Sequence, residues 1–349
     1  MVDAIKIVSA QFIFIHHLCA YGPIPETLSI EWSGLVDFFF QYARMAVQPL
    51  LVVAGFLAAK SLARKSLDAP LALIGLRYLR LIPPFAVALM VITSLVWLFR
   101  PVIDAEWLPE EPSLLQAITH LLLVQEWLDV PALSIGVWYV AMDFQLFAFL
   151  VLLAHSLHQG RQLAGSRLLV CAVAICCVSS MAWFNHFAEL DSLALYFFGA
   201  YGLGILAAWA REDRFAWRLF GWVMAAAVLA CVDLPRARLG LAMATALLLF
   251  FGSGWRIPAE GLTRFLQRMG DSAYALFLVH FGMIVVGAAL WIELELNQVH
   301  QAVALAAVLW LSGVVLGDAF HRWVELPLQR WVSNRWGRYS LTAPVMPDT

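Results

Sequence analysis

Apolar residues are grouped along this chain into long runs, which are separated by short stretches rich in Arg, Gly and Pro. A helix needs about 20 residues to cross the roughly 30 Å of hydrocarbon in a bilayer, and most of the runs are close to this length. The short alternating segments typical of membrane β-barrels are absent from the sequence. We therefore predict an all-α integral membrane protein, a bundle of about ten transmembrane helices, at residues 5–22, 36–60, 79–99, 134–156, 168–185, 192–210, 217–233, 237–253, 271–292 and 302–321.

Basic residues are divided unequally between the two sides of the membrane. With both termini in the cytoplasm, eighteen Lys and Arg residues fall on the cytoplasmic side, and the outer loops hold three, Arg100, Arg236 and Arg238. Cytoplasmic loops of membrane proteins carry such an excess of basic residues. The pattern thus predicts cytoplasmic termini and a multi-pass protein of the cell's cytoplasmic (inner) membrane, with membrane lipid around it.

The composition agrees with this fold class. The 349 residues are 62% hydrophobic and 13% charged, and the mean hydropathy is +0.81, far above the range of soluble globular domains. The net charge of −2 gives no reason to expect a nucleic-acid partner. The five cysteines lie in apolar stretches without CxxC spacing, so we expect neither a metal site nor a disulfide framework.

The longest loop between predicted spans, residues 100–133, contains the stretch SLLQAITHLLLVQEWL. Its apolar spacing suits an interfacial or re-entrant helix that is too short to span. The chain after Pro327 is basic and then polar, and we expect it to have little order. We predict one membrane-embedded domain over residues 1–335 and a cytoplasmic tail over residues 336–349.

Ionisable groups inside a span are costly in hydrocarbon and therefore suggest function, and four places in the predicted spans matter most. These groups are His16 and His17 in the first span, Arg44 in the second, Asp143 in the fourth and His280 in the ninth. At 1.5 Å per residue, His17 lies about 16 Å from Lys6 along the helix, near the membrane centre. Eleven residues are about three turns, so Lys6 and His17 share one helical face, whereas His16 points about 100° away.

The same helical rise predicts which groups lie at similar depths. If the fourth span starts near Ser134, Asp143 lies about 13 Å below the outer surface, in the layer of His17. Arg44 falls about 10 Å below the outer surface, and His280 about 13 Å above the inner one. Other readings stay open. His16 and His280 are also consistent with hydrogen-bonded packing residues, and Asp143 with an ion pair to Arg44 that only fixes helix packing.

A pair of arginines stands at the start of the third span, in LRYLRLIPP. Arg77 and Arg80 are three residues apart and lie on one helical face. Two guanidinium groups so placed suit a polyphosphate. The alternative is that they only mark the cytoplasmic border of the span.

Several motifs, taken in order, resemble acyltransferase family 3, the ten-helix membrane O-acyltransferases that modify bacterial surface glycans. Lys6 and His17 match the family's basic residue, ten-residue spacing and histidine, with lysine instead of the commoner arginine. Many members have glutamate at the position of Asp143. The remaining matches extend over nearly the whole chain and are VAGFLAAKSL, RYLRLIPP, GVWYVAMDFQLF with Trp138, Asp143 and Gln145, DSAYALFLVHFGM with His280, and FHRWVELPLQRW with Glu325 and Pro327.

The resemblance implies transfer of an acyl group from cytoplasmic acyl-CoA, with acetyl-CoA as the expected donor, to a hydroxyl of a glycan or lipid-linked acceptor. His17 is then the expected general base and Asp143 the group that orients its ring. Lys6, Arg77 and Arg80 are the expected contacts of the coenzyme. Arg44, Trp138, Gln145 and His280 are assigned to substrate binding.

The sequence also leaves a different class of protein open. A proton-coupled transporter or flippase would use His17, Asp143, Arg44 and His280 as a relay. Transporters of this kind commonly show duplicated halves, and no duplication is visible in the sequence. The acyl chain, the acceptor and any homo-oligomer are not specified by the sequence.

Overall fold

The computed structural model describes residues 1–157, 166–233, 236–252, 254–255 and 259–336, and this part of the chain is helical throughout, without strands. In chain order the helices are α1 (Val2–Leu18), α2 (Pro23–Tyr42), α3 (Val47–Leu62), α4 (Pro70–Phe99), α5 (Leu114–Leu122), α6 (Val137–Leu157), α7 (Arg167–Ala182), α8 (Ala194–Trp209), α9 (Arg214–Asp233), α10 (Ala237–Gly252), α11 (Glu260–Asp271), α12 (Ala273–Glu293), α13 (Val299–Phe320) and α14 (Leu326–Trp336). The prediction of an all-α fold is confirmed.

Seven helical stretches of the described chain are long and apolar enough to cross a bilayer. They are Pro23–Leu62, Pro70–Phe99, Val137–Leu157, Arg167–His186, Arg214–Val232, Ala273–Glu293 and Val299–Trp336. The helices α8 and α10 are apolar but shorter, and α1 has 17 residues. A membrane protein is thus supported, while the count of about ten spans and the sidedness of the termini stay predictions.

The second predicted span, residues 36–60, differs most from the structure. A short 3₁₀ turn, Ala43–Ala46, interrupts it, and residues 23–35, which were expected to form a loop, belong to α2. Pro23 at the first position of α2 is pre-organised for helix, which explains the early start. Arg44 lies in the 3₁₀ turn and is exposed.

The loop before α6 is partly buried in the protein. Within it, α5 begins at a capping box formed by Ser113 and Gln116, and the chain after α5 is buried at Gln125 and Leu133. The stretch forms a short helix, and its interfacial or re-entrant place in the membrane stays a prediction. At the other end of the chain, α14 makes residues 326–336 helical, so the expectation of little order after Pro327 is wrong there, and residues 337–349 lie outside the described residues.

The core is built around α8, which is buried on almost every side between α3, α7, α9 and α10. Gly204 of α8 allows this, because a Cβ at that position would overlap the backbone of Val52 in α3. Small residues permit such close approach between membrane helices. A second cluster of buried apolar side chains joins α1, α4, α12 and α13. The two cavities described next both adjoin α1 and α12 of this second group or the chain that follows them.

Candidate active site

A cavity of about 370 Å³ opens at the end of the bundle where α1, α4 and α12 begin. Four cations line it, and we call it the basic cavity: Lys6 of α1, Lys65 of the loop between α3 and α4, and Arg77 and Arg80 of α4. Its other walls are mainly apolar side chains of α3, with Tyr139 and Phe277 also among the lining residues. The predicted coenzyme contacts Lys6, Arg77 and Arg80 therefore share one cavity.

Arg77 is held by a short ion pair in the wall of this cavity. Its Nη2 donates to Oδ2 of Asp143 at 2.5 Å, and its guanidinium lies 5.4 Å from the ring centre of Phe147. The carboxylate side chain is 9% exposed, whereas the Arg77 side chain is 40% exposed, and Arg77 lines the cavity. Asp143 thus fixes the guanidinium while leaving part of it open to a ligand.

The other three cations have weaker restraints. Arg80 donates from Nη2 to the hydroxyl of Ser333 at 3.1 Å, and Lys6 pairs with Asp3 at 3.1 Å. Burial, followed by the charges of Arg80 and Arg77, lowers the pKa of Lys65 from its ordinary value. The cations therefore repel each other, and a bound polyanion would relieve this repulsion.

A carboxylate and a tyrosine complete the cavity wall. Glu325 lies in a π-helical turn, His321–Glu325, and is 4% exposed. It accepts hydrogen bonds from His321 Nδ1 at 2.8 Å and from Gln329 Nε2 at 2.9 Å. The hydroxyl of Tyr274 is buried and has no hydrogen-bond partner among the described residues. Single π-turns inside helices are frequent at functional sites, and this one directs a charge into the cavity.

The histidines form a separate cluster farther along α1 and α12. The ring of His17 stacks on that of His280 with centroids 5.0 Å apart and planes at 25°, and His16 lies 4.8 Å from His17. His16 also contacts Phe40 of α2, and His17 also contacts Tyr21. We call His16, His17 and His280 the histidine cluster. The two adjacent rings contact each other and differ in their other partners.

Several ring nitrogens in this cluster have no hydrogen-bond partner among the described residues. His280 Nδ1 is 2.7 Å from the carbonyl oxygen of Phe277, and because a carbonyl only accepts, Nδ1 carries the hydrogen. Its Nε2 is buried without a partner in the described part of the chain, and so is Nδ1 of His17. Buried polar atoms are normally hydrogen-bonded, and exceptions often mark function.

A second cavity, of about 500 Å³, lies where α1 and α12 end. Three carboxylates line it, and we call it the acidic cavity: Glu26 and Asp37 of α2, and Asp104 after α4. Phe40 and Trp107 also line it, and they contact His16 and Tyr21 respectively. The histidine cluster therefore lies between two cavities of opposite charge.

The pairing predicted for Asp143 is wrong. Its carboxylate binds Arg77, so it neither orients the ring of His17 nor pairs with Arg44, whose Nε donates to the carbonyl of Gln41. Equal depth along two helices does not make their side chains neighbours, because the packing of α6 against α4 gives Asp143 a different partner. The relay that a transporter would need is not assembled either, because Arg44 and Asp143 bind groups other than the histidines.

Two further residues assigned to substrate binding have packing roles in the structure. Trp138 packs on Phe197 with ring centres 5.4 Å apart. Gln145 is buried, and its Nε2 donates to the carbonyl of Leu123 at 3.2 Å, while its Oε1 has no partner among the described residues. Neither residue lines the basic cavity.

Sequence reasoning missed several residues that line the basic cavity. Tyr139 and Tyr274 lie within recognised motifs, but a tyrosine in an apolar helix carries no signal of its direction. Glu325 was noted only as part of a motif, and Lys65 only as a cytoplasmic charge. Their position in a cavity depends on helix packing, which the sequence pattern does not specify.

A family model described as an acyltransferase domain matches residues 2–317 of the chain. The match includes the histidine cluster and the Arg77–Asp143 pair. No curated protein and no solved structure matches the chain. Because the family model covers most of the 349 residues, the chain belongs to acyltransferase family 3.

Proposed function

We propose that this protein moves an acyl group from acyl-CoA to a hydroxyl of a glycan or lipid-linked acceptor. The observation that carries the proposal is the histidine cluster, with its free ring nitrogens, between a basic and an acidic cavity. A polyanionic donor suits the first cavity, and an acceptor without net negative charge suits the second. The two substrates then meet at the imidazoles.

His17 is the proposed general base. Neutral imidazole is well suited to accept a proton near pH 7. The acceptor hydroxyl gives its proton to His17, and its oxygen attacks the thioester carbonyl carbon. The C–S bond then breaks, and the proton passes from His17 to the leaving thiolate, which gives an ester and free coenzyme A. His280 supports the ring of His17 through the stacking contact.

The donor is proposed to bind with its phosphates at the mouth of the basic cavity. Arg80, Lys65 and Lys6 supply charge there, and Arg77 adds a guanidinium already oriented by Asp143. Arginine and phosphate form strong charge-assisted hydrogen bonds. The apolar wall of α3 suits the uncharged arm of the coenzyme, with acetyl-CoA as the proposed donor.

The acceptor is proposed to enter from the acidic cavity. Trp107 offers an aromatic face for a sugar ring, and the carboxylates accept hydrogen bonds from its hydroxyl groups. This assignment requires that the basic cavity face the cytoplasm, which agrees with about ten spans, cytoplasmic termini and location in the cytoplasmic membrane. Residues 336–349 would then form a cytoplasmic tail.

Acyl transfer in sealed membrane vesicles tests the proposal directly. Labelled acetyl-CoA is supplied on the side of the basic cavity, and the label is followed in glycans and lipids by mass spectrometry. We expect labelled ester that depends on the protein and is abolished by hydroxylamine, which cleaves esters. Labelled product that is equally abundant in vesicles without the protein would reject the proposal.

The same vesicles distinguish a transporter from an enzyme. Proton flux or solute uptake without any acyl donor would favour transport. Comparing surface glycans and lipids of cells with and without the gene identifies the product, because the mass difference names the acyl group. Thermal stabilisation of the purified protein by coenzyme A supports a donor site independently of turnover.

A further inference from the structure

Phe277 separates the basic cavity from a second, smaller space. It lines the basic cavity and also an apolar cleft of about 10 Å³ between α4 and α6. The cleft is bordered by Phe85, Leu89, Ile92 and Gly136. About 10–15 Å³ is what one water molecule needs, so the cleft cannot hold an acyl chain while the Phe277 ring is in place.

The Phe277 ring has little freedom to move out of this position. The side chain is 7% exposed and packs edge-on against Tyr139, with ring centres 5.1 Å apart. Gly136 lies at the tip of the ring with a φ of +85°, and a Cβ there would approach Phe277 Cζ to 2.9 Å. The ring therefore forms a fixed wall that the glycine backbone supports.

The same side chain adjoins the histidine cluster. The carbonyl of Phe277 accepts the hydrogen bond from His280, and the two rings are 5.7 Å apart. His280 in turn stacks on His17 at 5.0 Å. An acyl carbon that reacts with a hydroxyl bound to His17 must come within about 3–3.5 Å of that oxygen. The acyl tail must then lie beside Phe277.

We propose that Phe277 is a specificity-determining residue that restricts the donor to short-chain acyl thioesters. With the ring present, the space beside the thioester ends at Phe277 and Tyr139. Without the ring, the basic cavity joins the cleft toward Phe85, Leu89 and Ile92, which gives an apolar channel for a longer tail. This inference rests on the proposed acyl transfer and adds the donor's chain length.

The test compares initial rates with acetyl-, butyryl- and octanoyl-CoA for the wild type, Phe277→Ala and a matched control. Phe198→Ala is the control, because Phe198 of α8 is fully buried and lines neither space. One methylene in an apolar pocket is worth about tenfold or more in selectivity. We expect the wild type to prefer acetyl over octanoyl at least about 100-fold, and Phe277→Ala to lower this ratio at least about tenfold. Phe198→Ala should keep the wild-type ratio.

A conservative variant keeps the test decisive if Phe277→Ala does not fold. Phe277→Leu keeps an apolar side chain and should admit butyryl-CoA better than the wild type does. Melting with and without coenzyme A reports folding and donor binding apart from turnover. If the wild type transfers acyl groups and neither variant alters its chain-length preference, the inference about Phe277 is overturned but the proposed function is not. Absence of wild-type transfer from every acyl-CoA would overturn the proposed function, and the inference with it.

Discussion

The basic cavity and the histidine cluster differ in how their polar groups are satisfied. In the cavity, charges meet countercharges: Arg77 binds Asp143, and Glu325 binds His321. In the cluster, ring nitrogens of His17 and His280 are buried without partners among the described residues. Paired charges hold a shape for binding, while free imidazole nitrogens are available for proton transfer. In the proposed function, the cavity supplies affinity for the donor and the cluster supplies the proton transfer.

A third histidine shows what a structural imidazole looks like in this protein. His120 of α5 is fully buried, and both of its ring nitrogens are used. Nδ1 donates to the carbonyl of Gln116, and Nε2 accepts from the backbone N–H of Leu133. Burial alone therefore does not distinguish the histidines, but hydrogen bonding does.

The largest expected effect is on His17. Replacing it with Ala should lower kcat at least about 100-fold, because a general base contributes about 10²–10⁴ in rate. Melting is measured alongside and kcat is taken per folded protein, because the variant also loses the ring contacts with His280 and Tyr21. His120→Ala is the opposite control: it leaves a buried N–H unpaired, costs about 1–3 kcal/mol of stability, and should spare kcat of the folded protein. Retained kcat in His17→Ala, or loss of kcat in His16→Ala alone, would show that His17 is not the general base.

Arg80 should give the next largest effect, on binding. Arg80→Ala removes a charged donor to phosphate, worth about 1.5–3 kcal/mol, so the KM for acyl-CoA should rise about tenfold to a hundredfold. The value of kcat should stay near that of the wild type. Arg268→Ala serves as the control, because Arg268 is an exposed arginine paired with Asp318 outside the cavity. An unchanged KM for the Arg80 variant would remove the phosphate assignment.

A substitution of Asp143 tests whether this carboxylate serves the basic cavity or the histidine cluster. If it holds Arg77, as the 2.5 Å contact indicates, Asp143→Asn should raise the KM for acyl-CoA about tenfold and leave kcat nearly unchanged. If it oriented His17 instead, kcat would fall and KM would not. Steady-state kinetics at fixed acceptor concentration separates these outcomes.

Lys65 should give the smallest effect, visible only at alkaline pH. Its amine binds phosphate when protonated, and its pKa lies below the ordinary value of about 10.4 because of burial and the nearby arginines. As pH rises through this lowered pKa, the proton is lost and donor affinity should fall roughly twofold to fivefold. Lys65→Arg keeps its charge, so its KM should stay flat over the same range. Parallel pH profiles for the two proteins would contradict the assignment.

Fold class and family were accessible from the sequence. Hydrophobic runs of membrane length predict helices regardless of their neighbours, and nearly all the predicted spans coincide with a helix. Arg77 and Arg80 were also grouped correctly, because their fixed spacing along α4 places both side chains on one face. Lys6 of α1 joined them through the resemblance to the family, and all three line the basic cavity. Motif order supplied the family, which the match over residues 2–317 confirms.

Partners across helices were decided only by tertiary structure. Asp143 binds Arg77 because α6 packs against α4, and the local pattern of neither helix fixes that packing. His280 meets His17, and Phe277 lines the basic cavity, through the packing of α12 against α1 and α4. Periodicity determines the direction of a side chain about its own helix axis, but helix packing determines which group it contacts.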